Sequence, residues 1–258
     1  MSHLPLLIPI GVAIGILLGS VGGGGSLVAV PALVYIGDQS VRGAQAGALV
    51  VVIAASAIGL VTYLRRGDVR WRAGLAFGAA AGVSALAGSL LSRHLDPNVL
   101  LLAFAPVMVV GAVAMVGERG RAASTFRPWR EGIFPGPVAR VTLSGLGTGW
   151  LTGLFGVGGG FVVVPVLVLG LGFAMGEAVG TSLLVIIMGS LVALAERLGA
   201  GSIDWAVIAP FAVAAVVGVL VGSALGERLS IQALTRWFAV LVVATAAYTA
   251  IEALIALT

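Results

Sequence analysis

The residues with the most to offer chemically are glycines, set in two matched clusters with a few small polar side chains nearby. Gly22-Gly23-Gly24-Gly25-Ser26 and Gly156-Val157-Gly158-Gly159-Gly160 each interrupt a charge-free stretch, and a proline follows each at the same distance, Pro31 and Pro165. Glycines weaken a helix by roughly 1 kcal/mol each relative to alanine, so both clusters are expected to break one. A short helix starting after such a break aims free N–H groups and its positive dipole end at the gap, which makes an anion site from backbone alone. Gly23, Gly24, Gly25, Ser26, Gly158, Gly159 and Gly160 are therefore candidate substrate-binding residues. Thr181 and Ser182, with Gln45 near the equivalent place in the first half, add hydroxyl and amide groups that suit an oxyanion. Threonine and serine in membrane helices equally bond to backbone or to a neighbouring helix, and that reading stands beside the first. Pro31, Pro165 and Arg42 take gating or structural roles; Arg42 serves as an interfacial anchor that would also draw an anion toward the vestibule.

Enzymatic chemistry finds little support. His3 and His94 are the only histidines, and neither has a carboxylate at ligand spacing. There is no metalloprotease motif and no nucleophile elbow, and the chain contains no lysine for a phosphate-binding loop. That excludes an ATP-driven pump for this chain alone. With no cysteine, disulfides and thiolate metal sites are excluded as well. No cofactor and no metal site are expected. A coupling H+ or Na+ is left open, because no carboxylate lies well inside a hydrophobic run.

These residues must be positioned by a membrane protein. The chain of 258 residues is 60% hydrophobic and 9% charged, too little charge to cover a water-soluble domain of this length. Ala44–Leu64, Ala73–Ser92, Asn98–Gly117, Ala178–Ala195, Ala206–Gly226 and Trp237–Ile251 carry no charged residue. Most approach the ~20 residues that cross a hydrocarbon core, where backbone groups must bond internally and helices result. The expected class is an all-α polytopic membrane protein with 8–10 membrane segments, in the inner (cytoplasmic) membrane. The net charge of +4 comes from arginines in short loops, as orientation signals do, and leaves no solvated basic face for nucleic acid. Met1–Ser20 lacks a basic region and a cleavage site, and is read as the first membrane segment.

The chain repeats itself at an offset of 134 residues. Gly11, Gly15, Gly19, Gly22, Gly24, Gly25 and Pro31 recur as Gly145, Gly149, Gly153, Gly156, Gly158, Gly159 and Pro165. The register continues, with Phe77 matching Phe211, Gly88-Ser89 matching Gly222-Ser223, and Arg70 matching Asp204. Residues 1–117 form one unit and 141–258 the other, joined by an Arg- and Pro-rich linker, 118–140, expected in the cytoplasm. Gly11, Gly15 and Gly19 and their copies have the small-xxx-small spacing of close helix contacts. Ser56, Ser190, Ser89 and Ser223 would line a path or aid packing. Each unit has an opening segment (Leu4–Ser20, Val141–Phe155), a break, a short apolar piece (Leu27–Ile36, Phe161–Leu169) and three longer runs. If the short pieces cross the membrane the copies are inverted, and if they re-enter the copies are parallel. With the linker and the Arg65–Arg72 loop inside, inversion puts 11 arginines inside and 3 outside, against 10 and 4 for the parallel arrangement. Inversion is favoured, as is common in secondary transporters.

The paired motifs Gly19–Pro31 (GSVGGGGSLVAVP) and Gly153–Pro165 (GLFGVGGGFVVVP), with Ala178-Val179-Gly180-Thr181-Ser182-Leu183, resemble those of the TauE/SafE-type sulfite exporter family. The resemblance covers essentially the whole chain. It implies outward movement of sulfite, sulfoacetate or a related small organosulfur anion by a secondary mechanism. The first copy departs from the pattern: Gln45-Ala46-Gly47-Ala48 stands where Val179-Gly180-Thr181-Ser182 stands, so it lacks the hydroxyls. A passive anion channel and a non-transporting membrane subunit or sensor are the alternatives. The expected partners are a small inorganic or organosulfur anion and the lipid bilayer, with oligomeric state unspecified.

Overall fold

The computed structural model describes residues 4–23, 29–30, 32–34, 36–92, 106, 136–155, 160–197 and 203–228. Among them the structure is helical, with no strand. In chain order the helices are α1 (Leu4–Val21), α2 (Val41–Arg65), α3 (Trp71–Ser92), α4 (Gly136–Phe155), α5 (Gly160–Pro165), α6 (Met175–Arg197) and α7 (Trp205–Arg228). Four of these contain stretches long and apolar enough to cross a membrane: Gly43–Arg65, Trp71–Leu91, Met175–Ala195 and Trp205–Gly226. The runs expected at 98–117 and 237–251 lie outside the described residues, Pro106 excepted. Helix α4 begins at Gly136, inside the segment read as linker, with Pro137 where a missing N–H costs a helix nothing. Within the helices every charged residue lies within five residues of an end, as a lipid solvent requires.

Local signals set several helix ends. The Ser40 hydroxyl accepts from the Gly43 N–H at 3.2 Å and caps α2. The Asp204 carboxylate accepts from the Ala206 N–H at 3.0 Å and does the same for α7. Helix α5 runs into a wider π turn, Val166–Gly170, so its helical stretch spans 160–170, about 16 Å or half a membrane. Residues 29–30 and 32–34 are helical in the first half. Both short pieces end in the same hydrogen bonds. Gly37 donates to Ala32 and Gln39 to Leu33, and 134 residues later Leu171 donates to Val166 and Phe173 to Leu167.

Packing follows the glycines, and it runs between the halves. The two most extensive contacts are α1 with α7 and α3 with α4. A Cβ on Gly15 would collide with the carbonyl of Ala215; a Cβ on Gly149 would collide with that of Ala81. The offset from Gly15 to Gly149 equals that from Ala81 to Ala215. The same shift relates Gly11 beside Phe211 to Gly145 beside Phe77, and Gly222 against Ile16 to Gly88 against Trp150. Phe77 and Phe211 are both fully buried. Lipid tails are as apolar as leucine, so burial alone does not hold membrane helices together. Dispersion between touching backbones does, with Cα–H···O contacts worth about 0.5–1 kcal/mol each.

Contact order along each pair fixes direction. Gly11, Gly15 and Gly19 meet Phe211, Ala215 and Val219, so α1 and α7 are parallel. Gly47 meets Ile208 and Gly59 meets Val219, so α2 also runs with α7. Gly74 meets Leu184 and Gly78 meets Met188, which makes α3 and α6 parallel, whereas Gly59 meets Leu183 and Tyr63 meets Gly180, so α2 and α6 are antiparallel. Since α1 and α2 point the same way, the chain between them returns to the side from which α1 started.

Close approach to a rigid backbone predicts a large overpacking cost. Gly149→Leu should cost about 3 kcal/mol, lowering the melting temperature in detergent by about 6–12 °C. Gly147→Leu on the same helix, where a side chain meets nothing within 4 Å, should melt within about 2 °C of the parent. Equal losses at both positions would contradict the packing described.

Candidate functional site

Helix α1 ends at Val21, and Gly22 turns the chain with φ +91, a left-handed value that glycine adopts without strain. Its N–H still donates to the Leu18 carbonyl at 3.0 Å. A Cβ here would sit 2.5 Å from the Ser182 hydroxyl oxygen, 3.0 Å from Val164 Cγ2 and 3.2 Å from Val179 Cα. Glycine is thus needed for both conformation and space. The start of the first break is pressed against α5 and α6 of the other half, and Gly23 beside it is buried too.

Ser182 lies seven residues into α6, about 10 Å along it, and is fully buried. Its hydroxyl donates to the Val179 carbonyl at 2.8 Å, which satisfies the proton locally and leaves the oxygen beside Gly22. Thr181, also fully buried, points elsewhere, since successive residues on a helix are about 100° apart. Its hydroxyl accepts from the Arg70 N–H at 3.1 Å, and its methyl group faces Gly74. The two hydroxyls expected to act together are therefore divided: Ser182 faces the break, and Thr181 holds the loop between α2 and α3.

The other expected residues are placed as follows. Gln45 is half-buried in the second turn of α2, at the position matching Val179. Arg42 lies in the first turn of α2, Gly160 opens α5, and Pro165 closes it and is buried. Gly24, Gly25, Ser26, Pro31, Gly158 and Gly159 lie outside the described residues. Of the four serines named as path or packing residues, Ser223 and Ser89 donate to carbonyls one turn back, Leu220 and Leu86. Ser190 is buried, and Ser56 is fully buried with its hydroxyl unpaired among the described residues. No three His, Asp or Glu side chains come together among the described residues as a metal ion would need.

Two features escape the sequence. Gly22, at the edge of a conspicuous cluster, meets α5 and α6 of the second half; its recurrence as Gly156 is the available signal. Arg70 and Glu177 form an ion pair, 2.5 Å from Nη2 to Oε1 and 3.0 Å from Nε to the same oxygen. They stand 107 residues apart and no local pattern links them.

Comparison with known proteins accords with this architecture. The family described as Sulfite exporter TauE/SafE matches residues 7–249. A probable membrane transporter protein of Xylella fastidiosa (strain 9a5c) is 29% identical over 238 residues, 91% of this chain and 90% of the relative. A probable membrane transporter protein of Methanocaldococcus jannaschii is 28% identical, covering 88% of this chain and 86% of its own. The Bacillus subtilis (strain 168) probable membrane transporter protein YunE is 24% identical, with coverage of 87% and 89%. No solved structure matches. A family match over nearly the whole chain, on multiple apolar helices and paired glycine breaks, makes this protein a member of the TauE/SafE sulfite exporter family and a multi-pass membrane transporter.

Proposed function

We propose that this chain is a secondary transporter that exports sulfite or a related small organosulfur oxyanion, sulfoacetate-like in chemistry. It works by alternating access around a site between its two halves. The observation that carries this reading is the apposition of Gly22 with Ser182, Val164 and Val179, where a break in one half meets two helices of the other. No charged side chain lies in the middle of any described helix, so an anion here would be held by backbone N–H groups and by the Ser182 hydroxyl once its one proton turns from the Val179 carbonyl toward the break. Such a site binds an oxyanion without a permanently buried charge, which suits a ligand that must also leave.

The antiparallel crossing of α2 and α6, equivalent segments of the two copies, supports inverted repeats. The helix directions support short segments that carry the chain back toward its starting side. Arginine placement supports the cytoplasmic membrane with 118–140 and the 66–70 loop inside. A negative interior would itself drive an anion outward, with or without a coupled H+ or Na+. The site is asymmetric, because Ala48 stands at the position of Ser182 and Gln45 at that of Val179. The Gln45 amide is a polar group that the first half offers.

Purified protein in liposomes should take up labelled sulfite saturably, competed by sulfoacetate and not by taurine. Ser182→Ala should raise KM by about two- to tenfold, the worth of one hydrogen bond. Thr181→Val should leave KM within about twofold and lower the maximal rate, because its hydroxyl holds a loop. Non-saturating flux would point to a channel. No flux of any anion from folded protein would contradict transport.

A further inference from the structure

The packing of the two halves is closely matched at the offset, and one feature breaks the match. At the ends of α2 and α6 that carry Arg65, Arg66, Arg70 and Arg72, the loop 66–70 of the first half grips the start of α6. The Arg70 guanidinium pairs with Glu177 through two nitrogens, and the Arg70 N–H donates to Thr181. The Asp68 backbone packs so tightly on Gly180 that no Cβ fits, and the Asp68 carboxylate sits beside Gly176 in the first turn of α6. At the same end Arg66 donates to the Ser223 carbonyl of the second half at 3.3 Å, and within the first half the Tyr63 hydroxyl donates to the Gly19 carbonyl at 2.8 Å.

The opposite end has none of these residues. Asp204 stands where Arg70 does, Gly43 where Glu177 does, and Gly47 where Thr181 does. Among the described residues Gln39 Nε2 contacts the Asp204 carboxylate there at 3.4 Å, an exposed contact between the halves. Two ends that share one helix packing differ in the chemistry that closes them.

We infer that Arg70–Glu177, seated through Thr181, is a one-sided latch between the halves that holds the substrate site closed to the arginine-rich face. The inference rests on the alternating-access reading. In that motion the α1–α7 and α3–α4 pairs move as units, the helices around the site part at one face at a time, and contacts that span the site at that face must break. Thr181 and Ser182 are neighbours on α6, so releasing the loop frees the stretch of helix that lines the site. The pair is half-exposed on the Arg70 side and holds two donors on one oxygen, strong enough to bias an equilibrium and weak enough to open repeatedly. The opposite face, with Asp204 and Gly43 in the places of the pair, has no copy of this latch and opens without breaking one.

The chain has no native cysteine, so Ser182→Cys is a clean reporter of access. Its modification by a membrane-impermeant maleimide would be timed in membrane vesicles of both orientations. Glu177→Gln and Arg70→Gln should each speed modification from the arginine-rich face about fivefold and leave the other face unchanged. Arg70→Glu combined with Glu177→Arg should return the rate to within about twofold of the parent, because the pair and not either side chain alone sets it. Gln39→Ala should leave the arginine-rich face unchanged. No acceleration, equal acceleration from both faces, or a swapped pair as fast as the single variants overturns the latch. If the parent carries no sulfite while the labelling pattern holds, the substrate reading falls and the latch stands.

Discussion

The contact on which the rest depends is the approach of helix backbones at Gly15 with Ala215 and at Gly149 with Ala81. In water, apolar faces are driven together by solvent; in lipid that drive is absent, and helices associate only where atoms touch. Removing a side chain lets carbonyl and Cα surfaces meet directly, and each such meeting contributes modestly. Repetition along α1–α7 and α3–α4 adds these small terms into two rigid pairs, each made of one helix from either half. The halves are consequently interlocked, and neither closes its own packing.

That interlocking explains why the end of α1 meets helices of the second half. Helix α1 is carried to the second half by its glycines and delivers Gly22 to the flank of α6, beside Ser182. The same geometry brings the 66–70 loop over the start of α6, where Thr181 and Glu177 receive it. A buried serine, a turn with positive φ and a loop clasp thus meet within one stretch of α6. The apolar clusters around Phe77 and Phe211 fill the remaining space and fix the spacing of the pairs.

Much of this was legible in the residues. Charge-free runs mark α2, α3, α6 and α7 because lipid tolerates no unpaired charge, and the end of α1 before Gly22 is visible because several glycines in a row do not sustain a helix. The glycine spacing of α1 and α4 signals close packing but not the partner, since it is three-dimensional neighbours that decide which backbone is approached. For the same reason Thr181 and Ser182 looked alike in sequence and differ in the structure: a 100° step on α6 turns one to the loop and the other to the break. The start of α4 at Gly136 was hidden by the polar composition around Arg140. The Arg70–Glu177 pair was hidden because only the antiparallel crossing of α2 and α6 brings residues 107 apart together.

The proposed transport needs the two halves to be packed as an inverted pair, with the site at their junction. Arg72 and Ala206 are exposed at the second positions of α3 and α7, and are separated by the repeat offset. Single cysteines at these two positions, in a chain without others, would be labelled by an impermeant reagent from each side of the membrane. Inversion predicts that Arg72→Cys and Ala206→Cys are modified from opposite sides, with Arg72→Cys reached from the cytoplasm. Modification of both from the same side would contradict it.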